Sequence, residues 1–237
     1  MGKRWSAGAL EDDTGAPILR VPSLQALALE RIRDAILEGR LPPGTPLRIN
    51  ALAAELGMSP IPVREALQVL ATEGLAVHLP HRGMTVSPLR AEDVAQTYEV
   101  RAVLEGLAAR HAAGRLAPAV MANLRALLAE METTHECQDH EALLRLDRAF
   151  HACICEAYPN RWASEFLRQI WNHAYRVRRT YPRSKARLRV VLGEHQAILA
   201  ALDAGDGERA ENLVRRHLEG ARDDLLERLQ SARSAAV

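Results

Sequence analysis

A chain of 237 residues, 48% hydrophobic and 26% charged, has the make-up of a globular protein large enough for two modest domains. Its 31 basic and 30 acidic residues nearly cancel, so any contact with nucleic acid must come from a few well-placed arginines and not from a basic domain. Nothing approaches the roughly 18 apolar residues of a membrane span, the N-terminus lacks a secretory apolar segment, and Cys137, Cys153 and Cys155 show no metal-ribbon spacing, so a cytoplasmic protein without a membrane partner is expected.

Residues 1–20 are polar and rich in small residues, and are expected to form a mobile arm. From Ser23, a capping residue, Leu24, Leu27, Ile32 and Ile36 recur at helical spacing. Gly39 and the run LPPGTP at 41–46 end that helix. A short helix over Asn50–Leu56 stops at Gly57, and Ser59 opens a third helix with Pro60 in its first position, where a missing N–H costs nothing. Residues 76–89 then read as two short strands around Arg82-Gly83. Three helices followed by a hairpin are the order of a winged helix-turn-helix, assigned to residues 21–89.

Beyond Ala91 the pattern is helical throughout, with expected spans 91–113, 118–135, 139–157, 161–180, 184–204 and 207–230. The fold class expected is therefore mainly α: the N-terminal winged helix-turn-helix, a C-terminal all-α six-helix bundle over residues 90–230, and a tail at 231–237.

Two sets of residues carry chemistry. In ELGMSPIPVREAL (55–67), the tight joint at Gly57–Ser59 turns the start of the second helix outward. Ser59 offers a hydroxyl there, and Arg64 a guanidinium that can grip guanine or phosphate. In the bundle, four polar residues interrupt apolar stripes. Asp147 and His151 lie among Leu143, Phe150 and Ile154; His195 among Val191, Ile198 and Leu202; His217 among Val214, Leu218 and Leu225. Burying them unpaired would cost several kcal/mol, so they must hydrogen-bond one another or share a cation. Three imidazoles and one carboxylate suit Zn2+, and also Ni2+, Co2+, Fe2+ or Mn2+. Arg101 also faces inward; it either pairs with Glu105 one turn on or clamps a ligand carboxylate. Asn172 and Arg176 are weaker candidates for the same pocket, their competing reading being a polar outer face.

The segments ILEGRLPPGTPL, LAAELGMSPIPVREALQVLATEGL and HRGMTV resemble the DNA-binding domain of GntR-family transcriptional regulators. The resemblance implies a recognition helix in the major groove, bringing in Ser59, Ile61 and Arg64, and a wing tip carrying Arg82 and Gly83. Asn50 stands where many relatives contact DNA. Pro60 departs from the pattern, since relatives commonly have arginine after the serine; Arg48 is the residue placed to compensate. The bundle is similar to the FCD ligand-binding domain of the FadR-like subfamily, in its shorter VanR-like branch. The similarity rests on YEVRAVLE at 98–105, the D-x-x-x-H of Asp147 and His151, and the EHQAIL and VRRHL segments. Metal-binding members use one Asp and three His at these places. The resemblance thus implies a homodimeric regulator, a repressor in the commoner case, that meets a palindromic operator and responds to a small organic acid held at a metal. Two competing readings use the same residues. One is a regulator that senses the metal directly. The other is a metalloenzyme, disfavoured because no nucleophile and general base stand together.

Overall fold

The computed structural model describes residues 22–137 and 139–235; the expected N-terminal arm lies outside them. The N-terminal unit comprises α1 (Leu24–Leu37), α2 (Ile49–Leu56), α3 (Pro60–Thr72), β1 (Ala76–Leu79) and β2 (Gly83–Val86). Ser23 opens α1 by accepting from the Ala26 N–H at 3.1 Å. Gly57, in the left-handed conformation at φ 66°, ends α2 and makes the sharp joint to α3. The strands pair antiparallel with Ala76 opposite Val86 and Leu79 opposite Gly83. Ile32, Leu47, Val63, Leu67, Leu70 and Val86 form this unit's own core, each contributing about 1.5–3 kcal/mol by burial.

The C-terminal unit is the expected bundle: α4 (Ala91–Ala112), α5 (Pro118–Cys137), α6 (His140–Glu156), α7 (Arg161–Thr180), α8 (Lys185–Asp203) and α9 (Gly207–Ala235). Asp139, Asn160 and Ser184 cap α6, α7 and α8 through their side chains. The expected spans agree closely except at the end, where α9 runs past residue 230 to Ala235, so residues 231–235 are helix and not tail. Buried Leu225 and Leu229 repeat at helical spacing up to that point, and no breaker follows them. Tyr98, Leu124, Phe150, Ile198, Leu202 and Leu218 fill a second core, separate from the first. No described helix is long and apolar enough to cross a membrane.

Candidate metal centre and nucleic-acid interface

Helix α3 buries Val63, Ala66, Leu67 and Leu70 and turns Ile61, Arg64 and Gln68 outward. Ser59 sits at the N-cap, yet its hydroxyl makes no capping hydrogen bond and is left for an external partner. Ile61 is 67% exposed, a large apolar side chain in the first turn of a helix that faces solvent. A groove of about 750 Å³ runs between this helix and the wing, with Arg48, Asn50, Arg64, Arg82 and Gly83 along it. Gln68 and His78 also line the groove and were not singled out from sequence. Their signal was only positional: Gln68 lies one turn beyond Arg64, and His78 points out of β1. The wing tip is built by His81 and Gly83, both at positive φ (61° and 73°), which thrusts Arg82 outward. Among the described residues, Arg48, Arg64 and Arg82 form no ion pair, so their charge is free to meet phosphate or guanine.

The bundle brings Asp147, His151, His195 and His217 together, all buried, with one donor atom from each within 4.8 Å of the others. The Nε2 atoms of His151 and His217 lie 3.2 Å apart, and those of His195 and His151 3.4 Å apart. Their outer faces are pinned. His151 Nδ1 is 2.9 Å from Glu105 Oε2, and His217 Nδ1 is 2.7 Å from Glu194 Oε2. A carboxylate only accepts, so the Glu194 contact calls for the proton on His217 Nδ1 and turns its Nε2 lone pair inward, while Glu105 backs the His151 ring from the same side. The two Nε2 atoms face each other at 3.2 Å, a spacing that a shared proton or a shared cation bridges. A cation matches that spacing, since bonds of about 2.0–2.1 Å in tetrahedral geometry would set the nitrogens about 3.3 Å apart.

Charge reinforces the arrangement. Burial pushes His195 down to about 3, and burial together with its histidine neighbours holds His217 well below its ordinary value, so both stay neutral as metal ligands must. Burial opposes ionisation of Glu105, but Arg101 and His151 outweigh it and hold the carboxyl at about 2. Asp147, equally buried, is kept ionised by Arg178 and Arg183, both of which donate to it, Arg183 at 3.1 Å. His195 Nε2 is 3.8 Å from Asp147 Oδ1. Neither Arg178 nor Arg183 was foreseen; one ends a helix and the other sits in the connection before α8, so no apolar stripe marked them. A cavity of about 20 Å³, room for roughly one water, opens beside the cluster between Arg101, Asp147, Arg148, His151 and Arg178.

Comparison with known proteins decides what carries this pair of sites. Residues 24–86 match the family of bacterial regulatory proteins named gntR, and residues 96–220, more than half of the chain, match the FCD domain. A probable D-xylose utilization operon transcriptional repressor of Paenarthrobacter nicotinovorans is 33% identical over 79% of this chain and 84% of its own length. The protein is a GntR-family transcriptional regulator with an FCD domain. The gluconate operon transcriptional repressor of Bacillus subtilis is 27% identical over 74% of each chain. The structure of Escherichia coli McbR/YncC superposes with a TM-score of 0.75 at 26% identity, covering 87% of this chain and 99% of that one. These relatives are regulators and not enzymes.

Within the regulator, Arg101 does pair with Glu105, Nε to Oε1 at 2.6 Å, and it also lines the small cavity. Trp171 Nε1 donates to that same Glu105 oxygen at 2.7 Å, so one buried carboxylate anchors Arg101, Trp171 and His151 together. Asn172 and Arg176 are placed differently from the sequence expectation. Both are buried, which removes the polar outer face as an explanation. Asn172 accepts from Arg148 at 3.1 Å and does not line the cavity. Arg176 points away from it altogether: its Nη2 donates to the Ser87 carbonyl at 2.6 Å, at the exit of the wing. The reason is helical phase. Arg176 and Arg178 lie about 200° apart around α7 at 100° per residue, so only Arg178 reaches Asp147. His173, read from sequence as a local surface group, also bridges the domains, its Nε2 lying 2.9 Å from the Glu73 carbonyl where α3 ends.

Proposed function

We propose that the regulator is a homodimeric repressor whose hold on a palindromic operator is relieved by a small organic acid, held beside a divalent transition metal. Asp147, His151, His195 and His217 would hold the ion, and zinc fits the donor set best. The observation that carries this reading is the convergence of four buried donors, one from each of Asp147, His151, His195 and His217, within 4.8 Å of one another, with the His151 and His217 rings backed by carboxylates. A bound cation would offer a coordination position to a carboxylate oxygen.

The protein's own charges favour an anion at the same place. Arg101 and Arg183, both buried, and Arg178, nearly so, bring three guanidinium groups to the cluster beside the carboxylates of Glu105 and Asp147. A ligand carboxylate is expected to draw Arg178 from Asp147, since a guanidinium matches two oxygens equally well on either partner. Because Arg176 and His173 on the same helix grip Ser87 and Glu73, movement of α7 reaches both the wing and the end of α3. Operator affinity then falls by the ratio of ligand affinities in the two arrangements.

The test is operator release. Metal-loaded protein on a labelled operator, titrated with a panel of small mono-, di- and hydroxycarboxylic acids, should be released by one class of acid. Chelator-treated protein should not respond. Release by the metal alone, with no acid present, would instead make the ion itself the signal.

Dimerisation has a surface to use. Helix α4 is apolar on both sides: its inner face packs into the bundle, while Val100, Val103 and Leu107 share the opposite face at 41–46% exposure. A second copy, required by a two-fold operator, is the occupant this face fits. Val103→Glu combined with Leu107→Glu should convert the dimer to a monomer in sedimentation analysis. The helical signal should be kept, because exposed positions barely affect stability. A double variant that remains dimeric would place the interface elsewhere.

A further inference from the structure

The acidic and basic groups at the small cavity beside the histidine cluster do not pair off evenly. Arg101 pairs with Glu105, and Arg178 and Arg183 share Asp147, but Arg148 makes no ion pair among the described residues. Its Nη2 donates to the side-chain oxygen of Asn172 at 3.1 Å, and its guanidinium stands 5.8 Å from the centroid of the Tyr175 ring, so both partners are uncharged. Arg148 lines the cavity together with Arg101 and Arg178. Like charges gathered on one wall repel, and more strongly where protein replaces water. An anion entering there relieves that repulsion.

The helix fixes where this charge stands. Leu144, Asp147, Arg148 and His151 occupy positions i, i+3, i+4 and i+7 of α6, so all four share the face that borders the cavity. Arg148 lies one turn from His151, with about 5–6 Å between their Cβ atoms. Arg101 is buried, whereas Arg148 is half-buried and borders both the cavity and solvent. The cavity itself, at about 20 Å³, holds roughly one water, so an occupant needs a wall that yields. Arg148, held by neutral groups alone, is the wall arginine whose contacts cost least to give up. Asn172, expected from sequence to touch the effector, instead sets the direction of this guanidinium. An acid whose first carboxylate sits at the histidines thus finds Arg148 within the length of a short carbon chain.

We propose that Arg148 binds a second acid group of the effector, so that the site takes a short-chain dicarboxylate in preference to a monocarboxylate. This rests on the reading that an organic acid enters the histidine cluster. The probes are malonate, succinate and glutarate, each paired with its half-amide, which keeps the shape and loses one charge. Calorimetric titration of the full-length protein, zinc-loaded and freed of excess metal, should show at least one diacid binding about tenfold or more tighter than its half-amide. In Arg148→Gln that ratio should fall to about twofold or less, and Arg148→Lys, which keeps the charge but not the fork, should recover part of it. Melting temperature and zinc content of the variants separate a lost contact from a lost fold. Half-amides that bind as tightly as the diacids, or a preference that persists in Arg148→Gln, would overturn the assignment and leave the organic-acid reading intact. A preference kept after chelator treatment and lost in Arg148→Gln would uphold Arg148 and remove the metal from that reading. Failure of all six probes to bind would overturn the proposal, and the operator-release panel would then decide the organic-acid reading alone.

Discussion

Protein purified without chelators or an affinity tag is expected to carry about one equivalent of transition metal per chain, and His151→Ala none, by elemental analysis. The size of the effect follows from geometry. His151 is the ring whose Nε2 lies nearest both other histidines, so removing it takes away the centre of the donor set. Glu105 keeps Arg101 and Trp171 as partners in that variant, which limits collateral damage to the fold. Glu194→Gln is the finer probe. It leaves all four donors in place, removes the charge behind His217 together with the Glu194 ion pair to Arg187, and should lower metal affinity about 10–100-fold. A wild-type protein that stays metal-free after incubation with excess Zn2+ would make the cluster a hydrogen-bonded network. The search for an anionic effector would then rest on the arginines alone.

Arg64→Ala is expected to weaken operator binding by about 5–150-fold, the range for losing one bidentate contact to a base. Metal content and thermal stability should be unchanged, since Arg64 is exposed and unpaired on the outer face of α3. Fluorescence anisotropy on an operator fragment at fixed salt measures the loss, and the salt dependence separates two roles. If Arg64 reads a base, the loss is confined to the cognate sequence. If it grips phosphate, binding weakens on every sequence and the salt slope falls by about one ion. Unchanged affinity would remove α3 from the interface.

The degree to which each site was legible follows from how local its determinants are. The helix-turn-helix depends on short-range signals: Gly57 for a left-handed turn, Pro60 for a helix start, and apolar spacing in α3, all within a few residues of one another. Such signals act before any long-range packing and survive in a linear reading. The metal-site candidates were legible for a related reason. A polar residue inside an apolar stripe is conspicuous on its own helix, so Asp147, His151, His195 and His217 could be singled out, and the cost of burying them unpaired called for them to meet one another or a shared cation.

What surrounds those four residues was decided by the tertiary structure. Glu105 and Glu194 serve His151 and His217 across helix–helix contacts, and no sequence spacing links α4 to α6 or α8 to α9 in that way. Arg178 and Arg183 converge on Asp147 from separate segments, while Arg176, only two residues from Arg178, turns to the wing because of its phase on α7. Local periodicity and turn chemistry thus determined the two domains and the residues able to do chemistry. The packing of distant helices determined which charge faces which, because a side chain's partner depends on helix rotation and crossing, which the chain's local pattern does not encode.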